Sequence, residues 1–127
     1  MIVVDASAAL SALLHDGPAR SALAGEQVHA PHLIDPEVAN SLRRRVAAAR
    51  LTAEDGRAAL QVWQRLGLTR YPMSALLDRV WQLRDNVSAY DASYVALAEA
   101  LDCALLTADA RLARAPATRC AVTVVPR

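Results

Sequence analysis

Two carboxylates far apart in the chain each close an apolar, strand-like run: Asp5 follows Ile2, Val3 and Val4, and Asp109 follows Leu105, Leu106 and Thr107. In a parallel α/β sheet the carboxyl ends of all strands share one edge, and ligands bind there, where strand order reverses. Glu37 and Asp91 complete a group of four acids, each near the start of a helix expected at that edge. Singly, each has an ordinary use. Asp5 (or Ser7) and Asp109 can cap helices, Glu37 can complement a helix dipole, and Asp91 can complete a capping box with Ser88. Jointly they crowd one rim with like charge, which raises pKa values unless a cation neutralises it. An all-oxygen donor set suits Mg²⁺ or Mn²⁺ and disfavours zinc. Such a site would activate a water and stabilise the leaving oxygen of a phosphodiester, so phosphoryl chemistry leads on physical grounds.

The elements that must position these acids are legible as alternating strands and helices. Ile2 to Val4 reads as a buried strand, followed by a helix from about Ser7 to Leu14 and a short helix before Gly25. Gln27 to Ala30 is a weak second strand. Asp35-Pro36-Glu37 announces a helix, with Asp35 as N-cap candidate, that runs to about Arg50. Thr52 and Asp55 open the next helix as a capping box, and Ala59, Val62, Trp63 and Leu66 recur at helical spacing until Gly67. Leu68 to Arg70 is a third strand, and Met73, Leu76, Leu77, Val80 and Trp81 mark an amphipathic helix. Ser88 caps a helix carrying Tyr94, Val95, Ala98 and Leu101, with Tyr90 and Tyr94 expected to pack in the core or at its rim. Ala104 to Thr107 and Val122 to Val125 are strands flanking a short helix from about Ala110 to Ala115. Right-handed crossovers then give a three-layer α/β/α sandwich with a mostly parallel central sheet.

Composition bounds the rest. At 127 residues the chain has the length of one domain, so residues 1 to 127 are expected to form a single unit. The apolar N-terminus has no basic leading segment, and no uncharged stretch approaches the roughly 20 residues of a membrane-spanning helix, so a cytoplasmic protein without membrane contact is the expectation. Net charge is only +1, and all fourteen basic residues are Arg, with Lys absent. That absence counts against haloacid-dehalogenase-type phosphatases and phospho-receiver domains, which place an Asp similarly but need a Lys. The four glycines form no phosphate-cradling loop of a dinucleotide binder. Cys103 and Cys120 lack zinc or redox spacing and read as buried thiols, and His15, His29 and His32 show no metal-binding pairing.

Four segments together resemble PIN-domain ribonucleases, most closely the VapC toxins of bacterial toxin-antitoxin pairs: Ile2-Val3-Val4-Asp5-Ala6-Ser7, Pro36-Glu37-Val38-Ala39-Asn40, Tyr90-Asp91-Ala92-Ser93-Tyr94-Val95-Ala96-Leu97-Ala98 and Leu105-Leu106-Thr107-Ala108-Asp109-Ala110-Arg111-Leu112. Each is weak alone, but four in order at compatible spacing are specific. The resemblance implies a Mg²⁺- or Mn²⁺-dependent endoribonuclease that cleaves RNA with an activated water. Asp5, Glu37, Asp91 and Asp109 match the family's acidic quartet, and Ser7 and Thr107 its hydroxyl positions. Asp5, Asp91 and Asp109 would lie nearest the ion, with Glu37 orienting water or a second ion. The resemblance further implies a homodimer and a small antitoxin partner.

Asn40 lies one helical turn after Glu37, where it can hydrogen-bond the carboxylate or substrate. Arg43, Arg44 and Arg45 fan over the outside of that helix as a solvated face, or as contacts to phosphate or antitoxin. Val62, Trp63 and Leu66 offer the helical hairpin an apolar face that suits either the core or a partner. A noncatalytic RNA- or partner-binding domain with a structural cation site is the competing reading. It makes no demand for four carboxylates on one rim.

Overall fold

The computed structural model describes residues 1–127. Five strands, β1 (Ile2–Val4), β2 (Val28–Pro31), β3 (Thr69–Tyr71), β4 (Ala104–Thr107) and β5 (Val122–Val124), form one sheet in the order β3-β2-β1-β4-β5. Every pairing is parallel, with Ile2 opposite both Val28 and Ala104. The central strands β1 and β2 are buried throughout. This is why they read as continuous apolar runs rather than alternating ones. Order reverses between β1 and β4, so the edge above those two strands is the switch point.

Seven helices complete the three layers. On one face lie α1 (Ala6–Leu14), α2 (Pro18–Gly25), α3 (Ile34–Ala47) and α4 (Ala53–Arg65), and on the other α5 (Leu77–Gln82), α6 (Ala89–Ala100) and α7 (Ala110–Ala113). Helix α6 packs on β1, β2 and β4 beneath α5, and its residues Ala92 to Ala98 are all buried. Helices α3 and α4 pair as the expected hairpin, and Gly56 lets them approach: a Cβ there would stand 3.2 Å from Val46 Cγ2.

Several boundaries differ from expectation for local reasons. Helix α3 stops at Ala47, not near Arg50, because Ala49 adopts a left-handed conformation (φ 58°) and the Arg50 amide turns back to the Arg45 carbonyl. Asp35 does not cap α3: the cap position falls at Leu33, without a side-chain bond. Its carboxylate instead accepts from Trp63 Nε1 at 2.8 Å and takes a two-pronged contact from Arg70. The expected Met73–Trp81 helix is split into a 3-10 turn (Ser74–Leu76) and α5, which buries Val80 but leaves Trp81 67% exposed. Cys103 and Cys120 are free and only half-buried, not fully enclosed. No helix is long and apolar enough to cross a membrane.

Candidate active site

Each of the four acids reaches the switch-point edge through the start of a helix. Asp5 leaves β1 and caps α1, accepting from the Ala8 amide at 2.9 Å. Asp109 leaves β4 and caps α7 through the Arg111 amide. Glu37 sits in the first turn of α3, and Asp91 in that of α6, whose cap Ser88 accepts from the Asp91 amide. The capping role and the shared rim coincide. All four line one cleft of about 600 Å³, together with Ser7 and Asn40.

Asp5 is the fixed point of the cleft. Only 6% exposed, it takes Ser7 Oγ on Oδ1 at 2.7 Å and the Thr107 hydroxyl on Oδ2. Ser7 Oγ in turn accepts from the Ala108 amide at 2.8 Å, and Thr107 Oγ1 from the Asp109 amide at 3.0 Å. These bonds tie the end of β1 to the end of β4. Thr107 lies fully buried behind Asp5 rather than in the cleft wall. Thr107→Val keeps the shape and removes both bonds, which is expected to cost about 1–3 kcal/mol of stability and to slow cleavage roughly 10- to 100-fold, read by thermal melting and by initial rates.

Burial raises the pKa of Asp5, opposed by its three hydrogen bonds and reinforced by the charge of Asp109. Glu37 is raised by burial, then by Asp91 and Asp5, while the Tyr94 hydroxyl it accepts pulls the other way. Burial and the charges of Asp5 and Asp109 raise Asp91. Asp109 alone is lowered, because Arg111 holds its carboxylate at 2.9 Å. Asp5, Glu37 and Asp91 therefore lack a cationic partner, and the four acids together form a cluster of hard oxygen donors, which fits a divalent cation by chemistry. As they stand, no three Asp, Glu, His or Cys side chains are grouped closely enough to hold an ion among them.

The remaining expected residues divide. Asn40 lines the cleft, but its carbonyl accepts from Arg43 Nε at 3.0 Å, so its partner is Arg43 and not Glu37. Arg44 and Arg45 line the cleft and Arg43 does not, which splits the basic run. Trp63, 2% exposed, belongs to the core and is unavailable to a partner, whereas Val62 beside it is exposed. Tyr94, expected only to pack in the core or at its rim, is buried as expected but also donates to Glu37, and Arg50 and Arg127, which the sequence did not single out, line the cleft as well. Tyr94 had one usable signal, its place one turn after Asp91 on α6. Arg127 had none.

Residues 2–117 match the PIN domain family. The chain is 61% identical over 127 residues to Ribonuclease VapC9 of Mycobacterium tuberculosis (strain ATCC 25618 / H37Rv), covering 100% of both chains. Among solved structures, PAE2754 from Pyrobaculum aerophilum superposes with a TM-score of 0.73 at 24% identity, covering 95% of this chain and 81% of that one. VapBC2 from Rickettsia felis, solved bound to a DNA fragment from the VapBC2 promoter, gives 0.72 at 14% identity, covering 97% and 98%.

Proposed function

Because this chain belongs to the PIN-domain family, among its VapC ribonucleases, it is an RNA-cleaving toxin of a toxin-antitoxin pair, and we propose that Asp5, Glu37, Asp91 and Asp109 do the cutting. The observation that carries this assignment is their convergence on one cleft at the switch point. Asp5, Asp91 and Asp109 would hold Mg²⁺, or Mn²⁺ in its place, and Glu37 would orient water or a second ion. The bound ion would supply Lewis acidity and a readily deprotonated water for phosphodiester hydrolysis.

The chain's own residues do the positioning. Ser7, Thr107 and the Ala8 amide all donate to Asp5 and hold its carboxyl group in one rotamer. Tyr94 holds one oxygen of Glu37, a residue that lines the cleft. Asp109 must exchange part of its contact with the exposed Arg111 for the ion. The reading takes residues 1–127 as one cytoplasmic domain, working as a homodimer and silenced by a small antitoxin. Incubating the protein with total RNA and Mn²⁺ and mapping the new ends should show cuts at a restricted set of sites that vanish with chelator. Bound metal with no cut in any RNA would favour the noncatalytic reading instead.

The raised carboxylates also give a stability signature. Asp5, Glu37 and Asp91 hold protons more tightly folded than unfolded, so their contribution to stability is present at low pH and lost as pH rises through their folded pKa values. At neutral pH a divalent ion should restore it, by about 2.7 kcal/mol at a hundredfold excess over Kd. Thermal melts with and without Mg²⁺ are expected to separate at neutral pH and to converge on acidification. Equal separation at both pH values would contradict the shared-ion assignment.

A further inference from the structure

A phosphodiester strand approaching four carboxylates meets repulsion on every side, and the cleft answers it asymmetrically. Across the sheet edge the acids run in the order Glu37 (after β2), Asp5 (after β1) and Asp109 (after β4). Arg44 and Arg45, about two turns after Glu37 on the same helix α3, line the cleft, and neither is paired with a carboxylate.

Arg127 is delivered to the cleft by an anchored tail. The Val125 amide donates to the Thr107 carbonyl at 2.8 Å, and Ser11 Oγ donates to the Pro126 carbonyl at 2.7 Å. The Arg127 Nε donates to the Ala108 carbonyl at 3.3 Å, beside Asp109, so its two terminal nitrogens remain for another acceptor. Guanidinium groups bind phosphate oxygens in this forked manner.

Resting on the ribonuclease reading above, we propose that Arg44 and Arg45 on one side and Arg127 on the other grip the RNA phosphates flanking the scissile one. The strand then crosses the sheet edge from the β2 side to the β5 side. Each arginine contributes a sequence-independent phosphate contact that sets register and leaves base choice to other residues.

The probe is a fluorescein-labelled single-stranded oligoribonucleotide spanning a mapped cut, titrated by anisotropy in EDTA at several salt concentrations. Arg44→Gln with Arg45→Gln is expected to reduce the slope of log K against log salt by about 1.4, and Arg127→Gln by about 0.7. Arg127→Lys should restore most of the lost slope, and Arg57→Gln on α4, away from the cleft, should change nothing. Trimming the RNA on one side of the cut should erase the effect of one variant, and trimming the other side that of the other. Slopes equal to the Arg57 control overturn the proposal. So does a variant that binds RNA normally but no longer captures the co-expressed antitoxin, which would assign these arginines to the protein interface. If the intact protein cuts RNA and these variants still bind it normally, only the grip fails; no binding and no cutting by the intact protein defeats the ribonuclease reading as well.

Discussion

Asp5→Asn is expected to reduce RNA cleavage at least about 100-fold while leaving the chain folded. The substitution keeps the side chain's size, and Asn caps a helix as well as Asp does, so the Ala8 amide retains its acceptor. What disappears is the charge. Asp5 presents an anionic oxygen whose rotamer is fixed by Ser7 and Thr107, and an amide there neither draws a cation nor stays oriented against two hydroxyl donors. One hydroxyl must turn from its carboxamide nitrogen, costing about 1–2 kcal/mol, and relief of a buried charge offsets part of that. Initial rates on the mapped RNA site with Mn²⁺, beside a melting curve, measure both halves. Unchanged cleavage in a folded Asp5→Asn protein would sink the quartet mechanism.

Trp63→Ala is expected to be the most damaging single change to stability outside the cleft, at about 3–5 kcal/mol, or on the order of 10–20 °C in Tm. Trp63 does two jobs at once. Its ring fills the space among the helices on one face of the sheet, and its Nε1 holds Asp35, which also grips Arg70 of β3. Arg70 lies 5.9 Å over the same ring, so loss of the indole loosens a knot joining α3, α4 and β3. Glu37 stands two residues from Asp35, and the variant should therefore lose activity below its melting temperature as well. Trp63→Phe, which removes the hydrogen bond and part of the ring but keeps an aromatic side chain, should cost less than Trp63→Ala, about 1–3 kcal/mol. Equal melting temperatures for Trp63→Ala and the parent would show that this knot carries no strength.

The architecture was legible because the signals agreed across levels. Apolar runs at Ile2–Val4 and Leu105–Thr107, cap residues at Ser88 and Thr52 and the hairpin after Glu37 all pointed to one parallel sheet. The acids were legible for a subtler reason: at the carboxyl edge of a parallel sheet helix caps fall where ligands bind, and Asp5 and Asp109 cap α1 and α7 at that edge. Long-range competition was what stayed hidden. Nothing local to Asp35 reveals that Trp63 and Arg70, 28 and 35 residues away, would claim its carboxylate from the cap. Nothing at Ala49 advertises a left-handed residue that a glycine would have flagged. Arg127 entered the cleft only through a tail anchored to Ser11 and Thr107, contacts that no periodicity encodes.

The bond between Asp5 and Thr107 joins residues 102 positions apart. On a ribosome, Asp5 emerges among the first residues and has no neighbouring strand on the β4 side until nearly the whole chain has been made. A pairing so distant in sequence is slow to close and late to form. Synthesis interrupted anywhere before β4 therefore yields a fragment without Thr107 and Asp109, in which the end of β1 has no partner on that side.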